Sequence, residues 1–289
     1  MGEIEIGVIG GSGLYEMEQL EVHEERRIET PFGDPSDAFI LGRLEGREVA
    51  FLPRHGRGHR LLPSEINFRA NIYGMKVLGV EWIISISAVG SLKEEYPPKD
   101  ILVPDQFYDR TRHRPDTFFG NGLVGHVSLA DPVCSELSSI MADAAQAAGA
   151  RVHRGGTYIC MEGPQFSTRA ESEEYRSRGF DVVGMTNLQE ARLAREAEIS
   201  YGTLAMVTDY DCWHEEEEDV SVEGVLEVLR SNVETAKEAI RRSVALIPPG
   251  KPSPYRGSLA NALMTDPALV PKETLEALAP IIGPYLDTQ

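Results

Sequence analysis

The chain has 289 residues, 42% hydrophobic and 26% charged, enough for one large α/β domain or two small ones and too balanced for a disordered chain. Its formal net charge is −18, from 46 acidic against 28 basic residues, a field that opposes nucleic acid and anionic membrane surfaces. No apolar run is long enough to span a bilayer, and the first residues show no basic segment followed by an apolar one, so a cytoplasmic location is expected.

The first element is a short apolar run, Ile6, Val8 and Ile9, that reads as a buried strand and empties into Gly10-Gly11-Ser12-Gly13. Such a turn can aim several N–H groups and the Ser12 hydroxyl at one anion, although an ordinary strand-to-loop turn would look the same. The G-x-G-x-x-G spacing of a dinucleotide site is absent. Residues 22–27 and 38–44 read as strands around a turn at 30–36, and Val49 to Leu52 as another. That strand runs into Pro53-Arg54-His55-Gly56-Arg57-Gly58-His59-Arg60, a local concentration of positive charge in an acidic protein. Arginine forks match phosphate and histidine adds a donor, while the plain alternative is a solvated basic loop.

Residues 63–78 read as a helix capped by Ser64, and Trp82 to Ser87 as an apolar strand ending in the small residues Ala88 to Ser91. A strand over 100–107 follows, then a loop of mixed charge, then a helix over 134–148 stopped by Gly149. Strands are expected over 156–161, 181–186 and 201–207, with a helix over 189–198 between the last two. The acidic run Glu215 to Asp219 reads as a solvated loop or helix start, and 222–245 as a long amphipathic helix. After a proline-rich break at 247–254 come two short helical segments, about 258–264 and 271–281. The expected organisation is one domain over residues 1–247, with 248–289 as a linker and helical tail packed on it. Alternating strands and helices imply an α/β fold, with a mixed, largely parallel central sheet flanked by helices on both faces. The three cysteines (Cys134, Cys160, Cys212) are far apart with no C-x-x-C pair, so neither a metal site nor a disulfide framework is expected.

Five motifs, in this order, are Gly-Val-Ile-Gly-Gly-Ser-Gly-Leu at 7–14, Thr-Pro-Phe-Gly-Asp-Pro-Ser-Asp at 30–37 and Arg-His-Gly-Arg-Gly-His at 54–59, then Glu-Gly-Pro-Gln-Phe-Ser-Thr-Arg-Ala-Glu-Ser at 162–172 and Thr-Asp-Tyr-Asp-Cys-Trp at 208–213. Together they resemble the methylthioadenosine phosphorylases, the trimeric branch of the purine nucleoside phosphorylases, over about residues 6–246. The resemblance implies a nucleoside phosphorylase-like fold and phosphorolysis of S-methyl-5′-thioadenosine to adenine and 5-methylthioribose 1-phosphate, a step of methionine and purine salvage. It implies inorganic phosphate as co-substrate, no cofactor, and a homotrimer.

By the same resemblance, Ser12, Arg54, His55, Ser87, the Ala88 N–H and Thr186 would hold phosphate. Met185 would pack on the ribose, and Phe166, Ser167, Asp209 and Asp211 would hold the purine. Of these, Asp209, Asp211 and Ser167 are the catalytic candidates, with Asp209 placed to share a proton with N7 of the leaving base. Val222, Val225 and Leu263 would line the 5′-methylthio pocket, with His126 reaching in from a neighbouring subunit. The chain departs from the family's Met-Thr-x-x-Pro-Glu pattern, having Gln189 where proline is usual, which predicts altered local rigidity and the same chemistry. The tail after Pro248 matches only the longer microbial members.

Two other readings compete. A phosphorylase for 6-oxopurine nucleosides or methylthioinosine would need a donor near Asp209, where Asp211 when ionised supplies only an acceptor. A nucleoside-binding sensor on the same fold would have no use for phosphate.

Overall fold

A computed structural model describes residues 4–11, 13–14, 16–214 and 220–286. Strand β1 (Ile6–Gly10) is buried along its whole length, as an apolar run of that size must be. Strands β2 (Glu21–Arg26), β3 (Phe39–Leu44) and β4 (Arg47–Pro53) form an antiparallel meander whose last member pairs in parallel with β1. Helix α1 (Phe68–Leu78) leads to β5 (Trp82–Ser91), the axis of the sheet. Then come β6 (Ile101–Val103), β7 (Gln106–Arg110), α2 (Ser135–Ala147), β8 (Val152–Arg154) and β9 (Thr157–Met161). The chain continues with α3 (Arg169–Ser177), β10 (Val182–Gly184), α4 (Asn187–Glu196), β11 (Ser200–Asp209), α5 (Val222–Leu246) and α6 (Lys272–Ile282).

Alternation along the strands sorts the helices. Ile9, Ala50, Leu52 and Ile83 point into a core shared with α1, α4 and α6. Their sequence neighbours Val8, Val49, Phe51 and Ile84 point into a second core under α2 and α5. Burying both faces is what makes β1 and β5 continuously apolar.

The register of β5 positions the site. One edge pairs with β11 in parallel from Ser200↔Trp82 to Asp209↔Gly90. The other edge pairs with β1 only as far as Ile9↔Ser85, and with antiparallel β10 from Val183↔Gly90 onward. Among the described residues, the edge between Ser85 and Gly90 therefore pairs with no strand, and a crevice opens there at the carboxyl ends of β1, β4 and β11. Open α/β sheets bind ligands where the strand order parts in this way.

Several boundaries differ from the sequence expectation. Helix α1 starts at Phe68 because Asn67, not Ser64, caps it: Asn67 Oδ1 accepts from Ala70 N at 3.1 Å while its amide donates to Phe32 O at 2.7 Å. The strand expected over 100–107 is two, β6 and β7, divided at Pro104, where the chain changes its neighbours from β8 and β11 to β9. Strand β5 runs through its small residues, since β10 and β11 give them partners. Helix α3 was not expected; its signal is the capping box formed by Thr168 and Glu171. The helix expected over 258–264 is a run of turns. There Glu198 Oε1 draws off the N–H groups of Gly257 and Leu259 at 3.0 and 2.9 Å, diverting them from a helical ladder. The acidic run Glu215 to Asp219 lies outside the described residues.

The tail lies against the same body. Trp82 Nε1 donates to Lys251 O at 3.1 Å, Tyr285 Oη donates to Glu198 at 2.6 Å, and Val270, Leu278, Ile281 and Ile282 join the α1 and α4 core. No described helix is long and apolar enough to cross a membrane.

Candidate active site

The crevice beside β5 gathers residues from four strand ends. Arg54 follows β4, and its backbone N–H donates to Gly10 O at 2.9 Å, so the basic loop is stitched to the glycine turn. Ser12 lies outside the described residues. Ser87 is buried with no partner for its hydroxyl among the described residues, and Ala88 and Gly90 are the two residues of β5 that are not fully buried. Thr186 is the N-cap of α4 and makes no cap bond with its side chain, which leaves that helix start free for an anion.

Arg54 is less free than its sequence context suggests. It is 3% exposed, and its Nε and Nη2 form a two-pronged ion pair with Glu190 at 2.5 and 3.0 Å. Nη2 also donates to Ser85 Oγ at 2.6 Å and Nη1 to Ile86 O at 2.7 Å, leaving a second Nη1 hydrogen for another acceptor. Burial works against the charge, but Glu190 outweighs it and keeps the guanidinium firmly protonated. Glu190 accepts further from Ser85 Oγ and Tyr201 Oη, at 3.0 and 2.8 Å. Asn187 closes the network with donations to Ser85, Tyr201 and Thr203. Breaking one partner of such a pair would strand a buried charge.

The rest of the basic loop is largely committed elsewhere. Arg57 pairs with Glu25 at 2.7 Å and Asp37 at 3.4 Å, and Arg60 donates to Ser36 O. His55 stacks on His59 at 4.2 Å and shares its Nδ1 with Leu61 O at 2.9 Å. Burial, helped by the Arg54 charge, pushes the His55 pKa down to about 4, so the ring is neutral at pH 7. The crevice thus presents hydroxyls, backbone N–H groups and a helix start around one neutralised arginine, instead of a cluster of bare cations.

The other half of the crevice lies at the end of β11. Asp209 Oδ2 accepts from Thr208 Oγ1 at 2.7 Å and Oδ1 from Asp211 N at 2.8 Å. Burial raises its pKa to about 6, with the Asp211 charge adding to the shift. Asp211 sits in the left-handed region at φ 53°, is 5% exposed, and its Oδ2 has no partner among the described residues. Its pKa is also raised by burial, against the hydroxyls of Ser172 and Ser167 that face it. A Cβ at position 90 would fall 2.9 Å from Asp209 Oδ1, so any larger residue there would push that carboxylate out of place.

The segment 166–169 is drawn to the same place: Cys212 Sγ bonds Ser167 O at 3.3 Å and Arg169 donates to Cys212 O at 2.7 Å. Phe166 beside it is 37% exposed. Met185 is fixed through its carbonyl, which accepts from buried Arg114; the same guanidinium holds Glu162 through both its carbonyl and its carboxylate. Gln189 is part of this clamp. It accepts from Arg114 at 3.2 Å and donates to Thr111 Oγ1 at 2.9 Å, so the residue in the place of the usual proline adds ties where a stiff ring would make none.

Residues assigned to the 5′ end are not brought together within the chain. Val222, 64% exposed, and Val225 open α5, whose other end packs in the core under α2. His126 and Leu263 share a small ridge on the opposite face: Gly125 bridges Leu263, and His126 N donates to Ala262 O at 2.9 Å. A cavity of about 320 Å³ also lies apart from the crevice, between Phe32, Asn121 and α6. Among the described residues no cluster of His, Cys, Asp or Glu could hold a metal ion.

Sequence reasoning did not identify Glu190, Ser85, Asn187, Tyr201 or Arg114 as parts of this site. Only Glu190 carried a signal, as an acid inside the matched Met-Thr-x-x-x-Glu stretch.

Residues 5–245 match the model of the Phosphorylase superfamily. The S-methyl-5′-thioadenosine phosphorylase of Geobacter sulfurreducens is 60% identical over 97% of this chain and 99% of its own. A methylthioadenosine phosphorylase sourced from an antarctic soil metagenomic library superposes with a TM-score of 0.93 at 49% identity, covering 97% of this chain and 99% of that one. The methylthioadenosine phosphorylase of Schistosoma mansoni, solved in complex with adenine, gives 0.85 at 36% identity over 90% and 99%. The chain belongs to the Phosphorylase superfamily, among its S-methyl-5′-thioadenosine phosphorylases.

Proposed function

We propose that this chain cleaves S-methyl-5′-thioadenosine with inorganic phosphate, giving adenine and 5-methylthioribose 1-phosphate. The observation that carries the reading is the spacing along β5. Ala88 follows the unpartnered Ser87 hydroxyl, and Gly90, two residues on, pairs with Asp209. Two residues of strand span about 7 Å, the width of a ribose held between its two reacting partners.

In this reading phosphate rests on Ser87 Oγ, the Ala88 N–H, the Thr186 hydroxyl with the α4 start, and the remaining Arg54 N–H, with His55 beside them. Its oxygen attacks C1′ from the face opposite the base, the C1′–N9 bond breaks, and the bonding pair leaves with the purine. The Asp209 carboxyl, with its pKa raised to about 6, can be protonated near neutrality and hands that proton to N7. Asp211, with an oxygen to spare, accepts from the exocyclic amine. A 6-oxopurine would set its carbonyl against the same oxygen, which disfavours that substrate. Phe166, Ser167 and Met185 enclose base and sugar. The reaction needs no resident cofactor or metal.

The 5′ pocket is completed by assembly. Val124, Met264 and Leu269 around the His126 ridge are 47, 68 and 74% exposed, and Val222 and Leu226 on α5 are 64 and 43% exposed. Two apolar patches on opposite faces of one chain suit a ring of copies, each covering the next. A homotrimer in the cytoplasm would deliver His126 and Leu263 together, because they share one ridge, against the Val222 and Val225 of a neighbour.

The test is release of adenine from S-methyl-5′-thioadenosine in the presence and absence of phosphate. Release with equimolar phosphate consumption supports the reading; release at the same rate in phosphate-free buffer means hydrolysis and defeats it.

A further inference from the structure

Two buried hydroxyls at the phosphate end of the crevice lack hydrogen-bond partners among the described residues, Ser87 Oγ and Tyr158 Oη. Tyr158 stands on β9 and is fully buried, its ring in an edge contact with Phe107 at 5.3 Å. Its side chain passes over β10 at Gly184, where a Cβ would fall 1.9 Å from the phenolic oxygen. Any side chain there would shut the tyrosine out. Beyond Gly184 the groups that face Oη are the Ser87 hydroxyl and the main-chain N–H of Thr186, with the Arg54 charge in range. A tyrosine used only for packing would gain nothing from an oxygen here, since an unpaired buried hydroxyl costs about 1–3 kcal/mol.

We propose that Tyr158 is a positioning residue of the phosphate crevice. With phosphate bound, its hydroxyl donates to Ser87 Oγ and accepts from the Thr186 N–H, two bonds for which these groups stand near enough to need only a small turn, and this aims the Ser87 hydrogen at phosphate and holds the start of α4 beside it. Tyr158 itself does not touch the anion. A serine hydroxyl has one hydrogen and can rotate; with its oxygen already accepting from the phenol, that hydrogen is free to point only into the crevice. The inference rests on the crevice being the phosphate site.

The experiment is steady-state phosphorolysis with phosphate and nucleoside varied separately, on the wild type, Tyr158→Phe, Ser87→Ala and the double variant. Phenylalanine keeps the ring and removes only the oxygen. Losing one neutral hydrogen bond is worth about 1 kcal/mol, so Tyr158→Phe should raise KM for phosphate about fivefold and leave KM for nucleoside within about twofold. In the Ser87→Ala background the same change should move KM for phosphate by less than about twofold, because the relay is already cut. A Tyr158→Phe enzyme with the wild-type KM for phosphate overturns the proposal, as does a full effect that persists without Ser87. Should Tyr158→Phe not fold, Ser87→Ala alone carries the test: it must raise KM for phosphate at least fivefold, and an unchanged value overturns the relay. A wild type that shows no phosphate dependence at all defeats the crevice reading itself, a distinct failure from these.

Discussion

The two ends of the crevice are built by opposite means. The phosphate end rests on a buried, cross-tied network: Arg54, Glu190, Ser85, Asn187 and Tyr201 hold one another across four segments of the chain. At the 5′ end Val222 is 64% exposed and its counterparts His126 and Leu263 stand on the other face of the same chain. The difference separates what a single chain fixes by folding from what it leaves to a neighbour. Substitutions at the inner end should therefore disturb fold and chemistry together, and those at the outer end should change only which substrate is preferred.

The largest effect is expected at Asp209. Asp209→Asn removes the proton donor while keeping the shape, and kcat should fall by about two to four decades with nucleoside affinity little changed. Its raised pKa has a second consequence. The ordinary carboxyl value of 3.8 rises to about 6 in the fold, so the folded state holds the proton longer than the unfolded one. The stability this gives is complete below 3.8 and is lost as pH rises through about 6, a swing of order 3 kcal/mol. At pH 8 Asp209→Asn should thus unfold at a higher temperature than the wild type, and at pH 4 the two should nearly coincide. The wild-type kcat should decline above about pH 6 as the proton is lost, and thermal melts with kcat across pH 4–9 check both trends.

Arg54→Ala comes next. It leaves Glu190 buried without its partner, which costs about 3–5 kcal/mol of stability, besides raising KM for phosphate more than for nucleoside. Denaturant unfolding measures the first and initial rates the second; a variant as stable as the wild type would break the contrast between the two ends. Asp211→Asn should narrow the preference for amino over oxo bases by about one to two decades without unfolding the protein. The smallest effect is at the outer end. Val222→Ser should change stability by less than about 0.5 kcal/mol and reduce the preference for methylthioadenosine over adenosine several-fold. Dilution should act on the same property: sedimentation of a fully active monomer would contradict completion of the 5′ pocket by a neighbour.

The strands and the turns that end them were legible in the sequence because each is local: an apolar run followed by glycine, small residues or arginine. Asp209 and Asp211 lie together in one short motif, so their meeting at the end of β11 was legible too. What the sequence did not disclose depends on contacts far apart in the chain. Glu190 looks like any acid on a helix, and only the fold shows it 136 positions from the arginine it neutralises. The Ser85 to Gly90 gap on β5 arises from where β1 stops and β10 begins, and no property of β5 itself records it. Asn67 displaced Ser64 as a cap through its bond to Phe32, again a long-range contact. The Thr168 and Glu171 pair was local and legible, and α3 could have been read from it.

The central claim is that the aspartate pair at the end of β11 selects a 6-aminopurine whose sugar reaches back to phosphate on β5. The most direct measurement is kcat/KM for methylthioadenosine, adenosine, methylthioinosine and inosine at saturating phosphate. The account predicts methylthioadenosine first and adenosine second, with both 6-oxopurines about one to two decades behind their amino counterparts. If inosine or methylthioinosine is the better substrate of the unmutated protein, the roles given to Asp209 and Asp211 are wrong.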